Sequence, residues 1–386
     1  MIWDAPFLHR ELGGDFIAFY TAGKTLNEFP VRTLYNPDFQ QDLRFKIIPD
    51  ADRTTGLPYL YPPFVAAALS PLARLPYRWA FVSWLVIGGA LYAAGLYLIQ
   101  SRSGLGVHRD TALLLAVSFS PFLYETWGGG QISAIAFSAL AGTLWLERAG
   151  KPFAAGLCAG LCCYKLPIFS ILAAMFLLAR LWRLLAGALV TSAALAALSF
   201  LMLGFEGVAE YRHLGNLYWT GLFKNPSAWP LHKFADLNAF FHLLLGGDTL
   251  PGRILLVLSA CAALLWAART WIRYRVLTEE ERALCWAGTM PLMLLANLYA
   301  PVYDMTLIVL SGFLVAGVVY RSGRADLARY FEAMVLLVYL GSIVGQPIAR
   351  TLHIQVLTIV LILCAVFIFS LEQSAGLLCG HRQLWR

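Results

Sequence analysis

Three ionisable residues in apolar surroundings are the first candidates for chemistry in this chain. Asp15 follows two glycines in GGDFIAFYTAG, Lys165 lies within AAGLCAGLCCYKLP, and Asp304 lies within APVYDMTL. Ionisable groups held against a membrane are costly and usually functional. A carboxylate can take up the proton of an attacking hydroxyl, and a lysine can offset the charge of a leaving phosphate.

Each of these residues also has a structural interpretation. Asp15 could cap the helix that follows it, since Asp is a favoured N-cap residue. Lys165 could extend from an ordinary helix end towards the membrane surface. Asp304 could form a hydrogen bond with another helix.

Further polar residues beside glycine-rich or proline-rich turns are candidate substrate contacts. Gln131 could instead satisfy backbone groups of its GGGQ turn, and the Asn-Pro-Ser segment from position 225 could be only a turn. The proline in that segment excludes a glycosylation acceptor. The candidates are Tyr61, Gln131, Asn225, Ser227, His232 and Lys233.

The composition predicts an all-α polytopic membrane protein. Of the 386 residues, 59% are hydrophobic and 13% are charged. Apolar runs long enough to cross a bilayer recur, and with shorter broken segments they suggest about 11 membrane helices, some broken or re-entrant. We expect residues 1–386 to form a single integral membrane domain. Four of the runs are Trp79–Leu98, Leu184–Leu203, Ile254–Ala268 and Ile354–Leu371.

The net charge of +7 does not indicate a nucleic-acid partner, because the basic residues are spread singly through short loops. All seven cysteines lie in or beside apolar runs. We therefore expect neither a disulfide nor a metal site. No feature of the sequence calls for a cofactor.

The loop charges predict the orientation. Loops rich in arginine and lysine should lie in the cytoplasm by the positive-inside rule. Poorly basic turns are predicted at Glu125–Gly130, Tyr299–Asp304 and Gly345–Arg350 on the opposite side. Two long polar segments, 1–77 and 205–252, should lie on that outward side as well.

Two segments are predicted to contain short helices. Pro152–Ala179 joins two basic loops and is too short for two full spans, so we expect two short helices that meet at Lys165-Leu166-Pro167. The first outward segment should contain a helix at Asp15–Leu26, a turn at Pro30–Asn36 and a helix within Pro62–Leu75.

Six stretches, in order, resemble glycosyltransferase family 87, a family of C-class membrane enzymes that use polyprenyl-phosphate sugars. The similarity extends over roughly residues 13–310, and its strength lies in the order of the motifs, since each motif is weak alone. The stretches are GGDFIAFYTAGKTL, LYNPDFQ, YLYPPFVAAALSPLARLP, GGGQISAI, AAGLCAGLCCYKLP and APVYDMTL.

This resemblance implies a C-class helical bundle in a bacterial inner membrane, with its active site facing the periplasm or exterior. It implies a polyprenyl-phosphate sugar donor, with mannose a candidate sugar, and a glycolipid or glycan acceptor. Asp15 matches the family's Asp-Phe motif and is expected to act as general base. The Asp15 segment has no second acid beside it, which favours an inverting, metal-free displacement. Lys165 would contact the leaving phosphate.

The sequence departs from the family pattern in two places. The membrane helix usual before the Asp-Phe motif is absent, so either a helix precedes residue 1 or the following helix carries the segment across. The late turn has Tyr303-Asp304 where some members have histidine. A secondary transporter is the alternative function, since such proteins also contain broken helices, although no internal repeat supports it.

Overall fold

The computed structural model describes residues 13–49, 58–101, 103–224 and 230–383. In these ranges the chain is helical, apart from connecting turns and one isolated β-bridge between Phe234 and Pro301. The predicted all-α polytopic class is confirmed.

The described ranges contain α-helices joined by turns and 3₁₀ helices. They are α1 (Phe16–Glu28), α2 (Pro37–Ile47), α3 (Pro63–Leu69), α4 (Tyr77–Gln100), α5 (Arg109–Ser118), α6 (Ser133–Arg148), α7 (Pro152–Gly160), α8 (Leu166–Leu178), α9 (Trp182–Lys224), α10 (Leu237–Leu244), α11 (Leu250–Ile272), α12 (Glu279–Leu295), α13 (Ile308–Ser322), α14 (Ala325–Leu352) and α15 (Val356–Gln383).

Within the described ranges, 6 helices are long and apolar enough to cross a membrane. The number becomes 7 if one bent pair, Pro121–Gly128 with Ser133–Arg148, counts as a single span. The expected number of about 11 is therefore not reached by helices of full length and apolarity. The four apolar runs singled out in the sequence lie in α4, α9, α11 and α15.

The segment between α6 and α9 is broken as predicted. Helix α7 runs into a 3₁₀ turn at Leu161–Tyr164, and α8 begins directly after Lys165. Pro167 lies in the first turn of α8, where its missing N–H removes no intrahelical bond. The α7 backbone lies against α9 because both helices carry glycines there: a Cβ on Gly156 would lie 2.0 Å from the Leu184 carbonyl oxygen.

Two predicted outward segments differ from the structure. Gly345–Arg350 is not a turn, because α14 continues through Pro347 and the chain reverses at His353, which has a φ of 57°. The segment from residue 205 begins as helix, since α9 bends at Gly204 and then continues to Lys224. Low basic charge and helix breakers favour a turn at Gly345–Arg350, and polar composition favours a loop from residue 205, but the structure continues both stretches as helix.

The first outward segment has the predicted helices. Its turn is a 3₁₀ helix at Val31–Thr33, and its last helix is α3 with a 3₁₀ turn at Leu72–Arg74. Helix α1 packs closely against that turn, because a Cβ on Gly23 would lie 2.9 Å from the Ala73 Cβ. In the described part of this segment, α1 and the turn after α3 are therefore packed closely together.

Two pairs of glycines bring the start of α1 against the bend before α6. The Asp15 N–H donates to the Gly129 carbonyl at 3.0 Å. Gly14 and Gly130 have φ values of 49° and 71°, in the left-handed region that favours glycine. A Cβ on Gly130 would lie only 2.5 Å from the Phe16 Cβ. This contact places Asp15 beside Gln131.

Gly130→Ala should destabilise the protein more than Gly150→Ala, its matched control. Both glycines have a φ of 71°, but the space around Gly150 is open. Each alanine should cost roughly 1–2 kcal/mol for its left-handed backbone, and Gly130→Ala should cost a further ~1–3 kcal/mol through overpacking. Thermal unfolding in detergent measures the difference. Equal losses in the two variants would contradict this tight contact.

Candidate functional site

Asp15 does not cap its helix. It occupies the N-cap position of α1, yet its side chain makes no capping hydrogen bond. Instead its carboxylate accepts a hydrogen bond from the Gln131 Nε2 at 2.5 Å. The structural interpretation of Asp15 as a cap is therefore wrong, and the Gln131 side chain serves this carboxylate rather than the backbone of its own turn.

A cluster of tyrosine side chains lies next to Gln131. The Tyr61 hydroxyl donates to the Gln131 Oε1 at 3.3 Å. The Tyr61 phenol also lies within electrostatic range of Tyr299 and Asp304. The Tyr61 ring packs on Phe19 of α1, with ring centroids 5.1 Å apart. Tyr61 thus connects the Asp15 end of the site to the turn before α13.

Lys165 and Asp304 form a buried ion pair on the far side of these tyrosines. Lys165 is 9% exposed and Asp304 is 1% exposed. Asp304 accepts from the Lys165 ammonium through one oxygen, and from the Ser133 hydroxyl at 3.1 Å through the other. The ammonium also lies 5.2 Å from the centre of the Tyr303 ring, a cation–π distance.

Lys165 is therefore buried and already paired with Asp304, rather than extended from a helix end towards the membrane surface. Asp304 connects the 3₁₀ turn Val302–Leu307 to the broken segment and to the start of α6. The interpretation of Asp304 as a partner for another segment holds. An ammonium has three donors, so this pairing leaves Lys165 further hydrogen-bonding capacity.

The environment of Asp15 makes it a stronger base. Burial raises the pKa of Asp15, while the hydrogen bond from Gln131 and the charges of Lys233 and Arg44 oppose that rise. Moving a carboxyl pKa towards neutrality increases its power to accept a proton, as long as it remains ionised at the working pH.

The fold adds a second carboxylate that the sequence analysis missed as a site residue. Glu125 lies in the bend before α6, six residues before Gln131, and interacts electrostatically with both Asp15 and Lys233. Its Oε1 accepts a hydrogen bond from the Gln346 Nε2 at 3.0 Å. No second acid adjoins Asp15 in the sequence, but in the fold Glu125 comes within electrostatic range of it from another segment.

His232 and Lys233 lie in the 3₁₀ turn Leu231–Lys233 near the same region. The His232 Nε2 is 3.3 Å from the Arg350 Nη2, and its carbonyl accepts from the Gln355 Nε2 at 2.9 Å. Lys233 acts electrostatically on Asp15 and on Glu125. The candidates Asn225 and Ser227 lie outside the described residues.

Asp236, which the sequence did not single out, holds this turn in place. Its carboxylate caps α10 through the Ala239 N–H and accepts from the Ala300 N–H, each at 2.8 Å. Burial raises its pKa to about 6, although these N–H bonds act in the opposite direction. Asp236 therefore fastens the segment containing Lys233 to the turn containing Tyr299. A signal for it existed, since Asp directly before an apolar helix is a capping pattern.

No group of three or more His, Cys, Asp or Glu side chains with a metal-binding arrangement occurs among the residues that the structure describes. What the site does contain is a buried carboxylate, tyrosine phenols and lysine ammonium groups. This set suits transfer of a group that leaves with a negative charge.

The sequence profile described as glycosyltransferase family 87 matches residues 59–301. The chain belongs to glycosyltransferase family 87. No curated protein and no solved structure gives a match. The matched region contains Tyr61, Gln131 and Lys165, while Asp15 and Asp304 flank it.

Membership of family 87, together with the membrane helices, makes this protein a membrane glycosyltransferase. The alternative of a secondary transporter gains no comparable support. A sugar donor, an acceptor and the lipid bilayer are the partners that this class implies.

Breaking the buried ion pair should unfold this glycosyltransferase more easily. Lys165→Met leaves the Asp304 carboxylate buried and unpaired, which should cost about 3–5 kcal/mol. Adding Asp304→Asn removes that charge and should restore most of the lost stability. The control is Lys24→Met, which breaks the more exposed Lys24–Glu28 pair, worth less than ~1 kcal/mol.

Unfolding by denaturant in detergent micelles compares the three variants with the wild type. A loss in Lys165→Met no larger than that in Lys24→Met would show that the buried pair does not support the fold.

Proposed function

We propose that the enzyme transfers a sugar from a polyprenyl-phosphate donor to a glycolipid or glycan acceptor, with mannose as the first sugar to test. The observation that carries this proposal is the Asp15 carboxylate. It is hydrogen-bonded by Gln131 instead of capping α1, and Gln131 accepts in turn from Tyr61, which lies within electrostatic range of Asp304.

In the proposed reaction, an acceptor hydroxyl transfers its proton to Asp15 while its oxygen forms a bond to the anomeric carbon. The bond between that carbon and the phosphate oxygen breaks, and its electron pair leaves with the polyprenyl phosphate. A phosphate is a good leaving group and needs charge stabilisation rather than protonation. Burial of Asp15 strengthens the base for this step.

Lysine side chains are proposed to stabilise the leaving phosphate. Lys165 keeps one donor on Asp304 and can direct others to a phosphate oxygen. Lys233 lies within electrostatic range of Asp15 and supplies a second positive charge. His232 adjoins Lys233 and is a further proposed donor contact.

We propose that the reaction inverts the anomeric centre in a single displacement. A retaining double displacement requires a carboxylate nucleophile as well as an acid/base. Asp304 is occupied by Lys165 and Ser133, and this proposal gives Glu125, which accepts from Gln346, no nucleophilic role. Asp15 then acts alone as the base.

We propose that the site faces the periplasm or exterior of a bacterial inner membrane. Gln131 immediately precedes the start of α6, and Arg148 ends that 16-residue helix. These ends are about 24 Å apart at 1.5 Å per residue. Arg148 and Lys151 would lie in the cytoplasm by the positive-inside rule, which leaves Gln131 and Asp15 on the outward side.

Asp15→Asn should abolish most transfer without unfolding the protein. The amide oxygen can still accept from Gln131, but it cannot take up a proton, so we expect a rate loss of about 10²–10⁴-fold. The assay follows radiolabelled mannose from a short-chain polyprenyl-phosphate mannose to octyl α-mannoside. The matched control is Asp38→Asn, an exposed aspartate in the same N-terminal segment.

Thermal unfolding checks that both variants fold. Turnover of Asp15→Asn near that of Asp38→Asn would remove Asp15 as the base. The anomeric configuration of the wild-type product, read by NMR, tests inversion separately.

A further inference from the structure

Glu125 lies in the bend that leads into α6. The segment Pro121–Gly128 is a π-helix, and it meets α6 at an angle of 117°. π-helical turns are rare and frequently mark functional positions. The Glu125 side chain is half-buried and accepts a hydrogen bond from the Gln346 Nε2 of α14 at 3.0 Å.

Gln346 has an unsatisfied oxygen at this position. The residue is 3% exposed, and within the described part of the chain its Oε1 has no hydrogen-bond partner. A buried polar atom without a partner costs free energy, so a native structure usually supplies one. Because Oε1 is an acceptor, its missing partner must be a hydrogen-bond donor.

The bend that carries Glu125 is joined to the rest of the site by direct contacts. Thr126 donates to the Tyr303 carbonyl at 3.1 Å, and the Gln131 N–H donates to the Thr126 carbonyl at 2.8 Å. Glu125 therefore lies on the same rigid turn that supplies Gln131 to Asp15. Lys233 lies within electrostatic range of both carboxylates.

We infer that Glu125 and Gln346 form a subsite for the hydroxyl groups of a sugar. This inference rests on the proposed function. The Glu125 carboxylate and the Gln346 Oε1 are two acceptors held side by side, because the Gln346 Nε2 donates to Glu125. Adjacent hydroxyls of a pyranose ring can donate one hydrogen bond to each acceptor. Lys233 offsets the negative charge next to Asp15.

The subsite would fix the orientation of the sugar relative to Asp15. Hydrogen bonds to a charged group are stronger than those between neutral groups, so the carboxylate should contribute most of the binding. The sugar bound there belongs either to the donor or to the acceptor, and both present the same hydroxyl chemistry.

The test measures equilibrium binding of two probes, octyl α-mannoside and short-chain polyprenyl-phosphate mannose, to the full-length protein in detergent. Glu125→Gln removes the charge but keeps an oxygen that can accept from Gln346. We expect it to weaken binding of one probe by about 10–100-fold, the range for a lost charged hydrogen bond. Gln346→Leu removes the second acceptor and the side chain that positions Glu125. It should weaken binding of the same probe.

Glu147→Gln is the matched control. Glu147 is also a glutamate of the α6 region, and it accepts from Tyr274 at 2.7 Å and from Trp286 at 3.0 Å near the opposite end of the helix. Its substitution should change thermal stability while the affinity for both probes stays at the wild-type value.

The probe that loses affinity in Glu125→Gln identifies the sugar that occupies the subsite, and either answer supports the inference. Unchanged affinity for both probes, with lowered thermal stability alone, would show that Glu125–Gln346 only joins two helices and would overturn it. Wild-type protein that binds the probes without transferring mannose would contradict the proposed function and leave the subsite result standing. Failure of the wild type to bind either probe would overturn both.

Discussion

The hydrogen bond from Gln131 to Asp15 joins two segments that are 116 residues apart, and the site depends on it. The bond forms because Gly14 and Gly130 allow two turns to approach more closely than side chains would permit. The same contact fixes the start of α1 against the bend before α6. Burial at this position raises the pKa of the Asp15 carboxyl, and the hydrogen bond from Gln131 acts in the opposite direction.

The Lys165–Asp304 pair solves a related problem deeper in the bundle. A single charge there would be costly, whereas a hydrogen-bonded pair can be tolerated. The break before α8 directs Lys165 to the turn of Asp304, and Ser133 occupies the second carboxylate oxygen. The pair thus holds three chain segments together and keeps the lysine ammonium close to the rings of Tyr299 and Tyr303.

Local patterns in the sequence predicted much of this arrangement. Pro167 marked the break beside Lys165, and the apolar runs marked the long helices. The sequence analysis did not predict the roles of Glu125 and Asp236, because each depends on a residue far along the chain. That residue is Gln346 for Glu125 and Ala300 for Asp236.

The Gly345–Arg350 turn was predicted wrongly for the opposite reason. A glycine, a proline and low basic charge indicate a turn locally, but packing within the bundle keeps α14 helical there. Similarly, apolarity alone does not distinguish short broken helices from full spans, so the sequence predicts about 11 helices where six in the described ranges are long and apolar enough to cross a membrane. Tertiary contacts, rather than local preference, decide these places.

The dependence of kcat/KM on pH, measured for the wild type and for Gln131→Met, tests the central claim most directly. A base must be ionised, so activity should fall as the pH drops through the pKa of Asp15, which burial already raises. The hydrogen bond from Gln131 stabilises the ionised form, and its removal should raise that pKa further. The account predicts that the acid limb moves to higher pH in Gln131→Met. An acid limb at the same pH in both proteins would contradict it.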